Sequence, residues 1–218
     1  MFIHVHGIRL YYEKTGHGKP LIMVHGNEED HRIFDNAVEI LKKHYTLYLV
    51  DSRGHGQSDK IKEYHYQDMC DDMVDFINHL SLNDVTYMGS SDGAIVGMMI
   101  ASKYPDLISR LILAGPNTKP QGVIKEVYDD MKKQYQKTKN PLIKMMLDEP
   151  HISNKELKNI RSDTLVLAGS DDLIRLDHIQ NIASHIPHCR LLILDGEDHS
   201  SYIIHSEKIA KIILKEFK

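Results

Sequence analysis

Val85-Thr-Tyr-Met-Gly89-Ser90-Ser91-Asp92-Gly93-Ala94-Ile-Val-Gly-Met-Met-Ile-Ala101 is the stretch that decides the architecture. It opens with β-branched and aromatic residues, which favour a strand. A Gly-x-Ser-x-Gly turn follows, and small and apolar residues continue at once as a helix. Glycine and serine are common in turns, so the pentapeptide alone carries little weight. Its place between a strand and a helix gives it meaning. A turn that tight brings side chains at Gly89 and Gly93 into the neighbouring strand or helix. Ser91 must then accept a strained backbone, which pushes its hydroxyl out above the sheet. Ser90 is also a hydroxyl, but the glycine spacing favours Ser91.

Working outward, strands and helices alternate. Phe2–His6 and Ile8–Glu13 flank Gly7 and read as a hairpin. Buried strands are expected at Leu21–Val24 and Thr46–Val50, and further strands at Leu111–Ala114, Thr164–Ala168 and Leu191–Leu194. Helical spacing of apolar residues is found over Ile33–His44, Tyr66–Leu80, Ala94–Lys103, His178–His185 and Glu207–Phe217. This rhythm predicts an α/β protein with a mostly parallel central sheet, helices on both faces and an N-terminal antiparallel hairpin. Residues 118–161 break the rhythm with amphipathic patterns and a Ser153/Glu156 capping box, but no convincing strand. They carry ten Lys/Arg against six Asp/Glu, a net of +4 that leaves −8 for the remainder. The expected organisation is a core of residues 1–117 and 162–218 with a short basic helical cap or lid at 118–161.

The 218-residue chain has a net charge of −4 with histidine neutral, which argues against a nucleic-acid binder. Its longest apolar run is Ala94–Ala101, far short of the ~18 residues that span a bilayer, so no membrane partner is expected. The first twenty residues lack the pattern of a secretion signal. Two cysteines, Cys70 and Cys189, make no disulfide framework. A reducing, cytoplasmic setting is the expectation, with the chain a monomer or homodimer.

Three further segments end at the strand edge where Ser91 sits. A serine hydroxyl needs a base, and the base needs an acid to orient it. The acid is expected in Gly169-Ser-Asp171-Asp172 and the base in Gly196-Glu-Asp-His199, both directly after strands. This is the edge where open α/β sheets place their ligands. His25-Gly26-Asn27 ends there too, and the backbone N–H groups of Asn27 and Asp92 are the expected donors to a developing oxyanion. His25 is expected to hold loops by hydrogen bonds, and His55 to be structural. No His-x-x-x-His or His-Glu-x-x-His pair stands out on a helix, so no metal or other cofactor is expected.

Taken together, His25-Gly26, Asp51-x-Arg53-Gly54-x-Gly56-x-Ser58, Gly89-x-Ser91-x-Gly93, Gly169-x-x-Asp172 and Gly196-x-x-His199 resemble the α/β-hydrolase fold superfamily over nearly the whole chain. The resemblance implies a serine hydrolase of the esterase/lactonase-like branch with a short lid. It selects Asp172 over Asp171, because family members place the acid three residues after the glycine. Ser91 in place of an aspartate, and the absence of tryptophan, set the dehalogenase branch aside. The expected reaction is hydrolysis of a small carboxylic ester, thioester or lactone through an acyl-enzyme, with Ser91 as nucleophile, His199 as base and Asp172 as orienting acid.

Asp92 has two readings. It faces the acyl pocket and, with Glu28, Glu29 and Asp30 close by after the oxyanion loop, favours a positively charged substrate, such as an amino-acid ester, with Glu28 the expected second binding residue. Some family members that cleave amino-acid esters also carry aspartate after the serine. Alternatively, it caps the following helix. Two rival functions stand beside the esterase reading. A carbon–carbon bond hydrolase with the same triad would want cations for a substrate carboxylate, with Arg53 and the basic insert as candidates. A non-enzymatic ligand receptor of the same fold would bind without rapid turnover.

Overall fold

The computed structural model describes residues 1–217. The strands are β1 (Phe2–Val5), β2 (Ile8–Gly16), β3 (Lys19–Val24), β4 (Tyr45–Val50), β5 (Thr86–Ser90), β6 (Arg110–Ala114), β7 (Asp163–Gly169) and β8 (Cys189–Leu194). They form one sheet in the order β1-β2-β4-β3-β5-β6-β7-β8. β2 pairs antiparallel with β1 and β4, and every other pair is parallel. The hairpin therefore forms the antiparallel edge expected from the sequence.

The helices are α1 (Asp35–Leu41), α2 (Tyr66–His79), α3 (Asp92–Lys103), α4 (Lys125–Thr138), α5 (Pro141–Asp148), α6 (Asn154–Leu157), α7 (Leu176–His185) and α8 (Lys208–Glu216). Side chains alternate across each strand, and both faces are covered. Ile22, Val24, Tyr48, Val50, Tyr87, Leu111 and Val166 pack with the apolar faces of α2, α3 and α7. Leu21, Met23, Leu47, Leu49, Met88, Ile112 and Leu165 pack with α1 and α8 on the other face. Each such side chain contributes about 1.5–3 kcal/mol when fully buried. Two-sided burial is why these strands read as unbroken apolar runs.

Several boundaries differ from the periodicity: β2 runs on to Gly16, α7 starts at Leu176, and two helices nearer the site shift their ends. The helix expected over Ile33–His44 is a 3-10 turn at His31–Phe34 followed by α1, which stops at Leu41. The Asp30 side chain accepts the Arg32 N–H and starts that turn two residues early. The helix expected from Ala94 starts at Asp92, because the turn is completed by Ser91 alone.

Residues 118–161 supply a 3-10 turn at Pro120–Gly122 and helices α4, α5 and α6, but no strand of the sheet. Ser153 and Glu156 form the expected reciprocal capping box. The segment is stitched to the core at its base. Val123 bridges Ile174, and the Thr118 N–H donates to His178 Nε2 at 3.1 Å. Among the described residues no helix is long and apolar enough to cross a membrane.

Arg53 belongs to the fold. Its side chain is buried, donating from Nε to Asp72 Oδ2 at 2.6 Å and lying 3.4 Å from Asp68. It thereby ties the loop after β4 to α2. Arg53→Ala leaves Asp72 buried without its partner, and the expected loss is about 3–5 kcal/mol, read as a lower denaturant midpoint at unchanged slope.

Candidate active site

β5 ends at Ser90 and α3 begins at Asp92, so Ser91 makes the turn by itself, with φ 50° and ψ −110°. That is a strained backbone for a residue with a side chain. It is held from both sides: Ser91 N–H donates to Ala114 O at 2.8 Å, and Gly93 N–H to His25 O at 3.1 Å. A Cβ on Gly89 would stand 2.2 Å from the carbonyl carbon of Gly93, and one on Gly93 would stand 2.3 Å from Val24 O. The steric role expected of the two glycines is borne out in these contacts.

Asp172 follows β7 and His199 follows β8. His199 Nδ1 lies 2.7 Å from Asp172 Oδ1. The carboxylate is fixed in turn: Oδ1 also accepts Ile174 N–H at 2.8 Å, and Oδ2 accepts Gly169 N–H at 3.4 Å. Asp172 is buried, whereas Asp171 is exposed. With Nδ1–H donating to the acid, Nε2 is left to accept a proton. Gly115 backs the ring so closely that a Cβ there would lie 2.4 Å from His199 Cε1.

Ser91 and His199 line one cavity of about 210 Å³. Its near wall comes from the loop after β3, including Gly26, Asn27 and Glu29. Its far wall comes from the insert, with Val127 and Met131 of α4, Met146 of α5 and Glu149. Neither Asn27 N–H nor Asp92 N–H donates to a protein acceptor among the described residues. For Asp92 this follows from its place at the start of a helix, where backbone donors have no partner within the helix.

His25 sits behind this wall. Its Nδ1 lies 2.6 Å from Gly26 O, and its Nε2 accepts Ser52 N–H at 3.0 Å, joining the loops after β3 and β4. Burial, then repulsion from His55, pushes its pKa down to about 4. His55 is also buried, within reach of Arg53 O and Asn27 Oδ1. Both are loop-holding histidines, as expected.

Glu28 is a correction. It adopts φ 59°, and its Oε1 accepts from Asn140 Nδ2 of the insert, so it does not line the cavity. The next residue does. Glu29 turns back to accept Gly26 N–H at 2.8 Å, and burial raises its pKa. Glu28 and Glu29 were indistinguishable by sequence distance; the left-handed turn at Glu28 separates them.

Asp92 lines the cavity, and its carboxylate makes no helix cap. Oδ1 accepts the Tyr66 hydroxyl at 2.7 Å, and Oδ2 is buried without a protein partner. Burial pushes its pKa up to about 6, against the Tyr66 hydrogen bond, which lowers it. The sequence reading missed Tyr66 and Glu149. They lie 26 residues before and 57 residues after Asp92, on elements brought over it only by folding, and no local pattern marks them.

One other cluster could hold a cation: Asp30, His31 and Asp51 approach one another, with His31 and Asp51 buried. Internal bonds already occupy it. Asp51 Oδ1 accepts the His31 N–H and lies 2.7 Å from its Nδ1, and Oδ2 accepts Gln57 N–H.

A family model described as alpha/beta hydrolase fold matches residues 19–151, more than half of the chain. The AB hydrolase superfamily protein YisY of Bacillus subtilis is 27% identical, with 94% of each chain covered. The serine hydrolase BPHL of Homo sapiens is 25% identical over 96% of this chain and 83% of its own. Among solved structures, an esterase from Exiguobacterium antarcticum has the same fold, with a TM-score of 0.86 at 22% identity, covering 98% of this chain and 97% of that one.

The packing of Gly115 against the imidazole yields a test of the assembly. Wild-type protein should take a single fluorophosphonate adduct on Ser91, seen by intact mass and peptide mapping. Gly115→Ala should keep its circular dichroism but label at least ten-fold more slowly, because alanine is strained at φ 58° and its methyl displaces His199.

Proposed function

The chain belongs to the alpha/beta hydrolase fold family and is an enzyme of that class, and from that premise we propose that it cleaves a small carboxylic ester, thioester or lactone through an acyl-enzyme on Ser91. The observation that carries the reading is the 2.7 Å His199–Asp172 bond beside a strained Ser91, in one cavity with two unused backbone donors. Ser91 Oγ attacks the carbonyl carbon as His199 Nε2 takes its proton. Asp172 steadies the resulting imidazolium. The Asn27 and Asp92 N–H groups receive the oxyanion, at about 3–4 kcal/mol per donor. His199 returns the proton to the leaving oxygen or sulfur. Water, deprotonated by the same Nε2, then releases the acid and restores the serine.

The cavity also bears on substrate. It is small, which favours short acyl groups. Among the described residues lining it are three carboxylates, Glu29, Asp92 and Glu149, and no lysine or arginine. A cationic group, such as the ammonium of an amino-acid ester, suits this field, and an anionic one is repelled. The carbon–carbon hydrolase reading loses its candidates: Arg53 is committed to Asp72, and no lysine of the insert lines the cavity. The helices over residues 118–161 act as the lid of this site. A receptor of the same fold would bind one equivalent of ester and release product slowly, so multiple-turnover kinetics separate the two.

Charge selection has a pH signature with a fixed sign. Asp92 is neutral below about 6 and charged above it. The kcat/KM ratio of an α-amino ester to its des-amino analogue should therefore exceed one at pH 7 and fall as the pH passes down through 6. The ratio cancels the His199 protonation common to both substrates. Asp92→Asn should lower the ratio at pH 7 about ten-fold, the scale of one hydrogen bond to a charged group. Equal kcat/KM for the two esters across this range removes the cationic preference and leaves the hydrolase. Ser91→Ala should cost about 10⁴–10⁶ in kcat.

A further inference from the structure

Tyr66 is the first residue of α2, and its side chain is fully buried. Its hydroxyl donates to Asp92 Oδ1 at 2.7 Å, while Oδ2 has no protein donor. The opposite end of the same residue is held by the insert. Tyr66 N–H donates to Glu149 Oε2 at 3.0 Å, and His65 Nδ1 lies 2.6 Å from Glu149 Oε1. His65, the N-cap of α2, makes no side-chain capping bond. Glu149 therefore supplies, from another element, the carboxylate that a helix N-terminus attracts. Glu149 itself borders the catalytic cavity. A continuous chain of contacts thus runs from the end of α5, through the start of α2, to the residue after the nucleophile.

We propose that Tyr66 is the positioning residue of the Asp92 carboxylate, holding Oδ1 so that Oδ2 is the one acceptor left for a donor group of the substrate, with Glu149 tying this arrangement to the helical insert. The proposal rests on the reading of Asp92 as the group that meets a cationic substrate. Its physical logic is that of a buried carboxylate with one donor. Without Tyr66 the group would have two unsatisfied oxygens, and a buried carboxylate in that condition takes up a proton rather than stay charged. With Tyr66 it keeps one committed oxygen, a fixed orientation and a free acceptor. Four groups bear on it: Tyr66 on α2, Glu29 from the loop after β3, His199 from the loop after β8, and Glu149 through Tyr66. Glu29 opposes the Asp92 charge, and Tyr66 and His199 favour it.

The test is a carboxyl titration by 13C NMR, with the Asp92 resonance assigned by its absence in Asp92→Asn. Tyr66→Phe keeps the ring and removes only the donor. The Asp92 midpoint should move up by at least one pH unit, and the amino-to-des-amino kcat/KM ratio at pH 7 should fall about ten-fold. Glu149→Ala should move both readouts in the same direction, with KM for the amino ester rising more than kcat falls. An unmoved Asp92 midpoint in Tyr66→Phe overturns the positioning role. Unmoved readouts in Glu149→Ala overturn the tie to the insert. A wild-type ratio of one beside a shifted midpoint overturns the cation reading while Tyr66 keeps its place. The NMR readout needs no turnover, so the two failures are distinguishable.

Discussion

The close approach of α3 to the end of β3, with only hydrogen atoms on the α-carbons of Gly89 and Gly93, is the constraint from which the site follows. It forces the whole reversal from strand to helix onto Ser91, whose left-handed backbone could not persist unless its neighbours fixed it. Bonds to Ala114 and His25 do so, and both partners lie at ends of adjacent parallel strands. The strain is therefore supported by the middle of the sheet, where two-sided apolar burial makes the scaffold stiffest. The same parallel order delivers the loops of β7 and β8 to the same rim, so His199 reaches the cavity that Ser91 lines, held by Asp172, whose carboxylate the Gly169 and Ile174 N–H groups fix.

Around that rim, charge is sorted by partner. Carboxylates with full hydrogen-bond sets hold a neighbour in place: Asp51 gathers three donors, Asp72 holds Arg53, and Asp172 holds His199. Of the three carboxylates that line the cavity, Glu149 has a partner on each oxygen, and the other two are less completely satisfied. Asp92 has one donor and an empty oxygen, and Glu29 has a backbone donor and a raised pKa. Burying such groups costs free energy that the fold does not need to spend for stability. In an enzyme of this family the natural recipient of that unspent hydrogen-bonding capacity is the substrate, and this links the stability argument to the proposed selection of a cation.

The helical insert sits between these themes. Its lysines face solvent, where they offset an acidic core, while its apolar side chains and Glu149 face inward. The chemistry of residues 118–161 is thus carried by a minority of residues opposite in character to the segment's composition. That is why the basic composition of the segment is a poor guide to the pocket below it.

What the sequence determined by itself was whatever depends on neighbours along the chain. Alternating apolar runs set the strands and helices, glycine spacing set the turn at Ser91, and turn positions after β7 and β8 marked Asp172 and His199. These are local or periodic signals, and they survive folding because strand ends and tight turns keep the same geometry wherever they lie. Tertiary structure decided the rest. It chose Glu29 over Glu28, since a single left-handed residue reverses which side chain faces inward. It gave Asp92 a hydroxyl partner in place of a helix cap, and it brought Glu149 to the start of α2. Those pairings join residues tens of positions apart through side-chain contacts, and such contacts leave no periodicity in one sequence from which to read them.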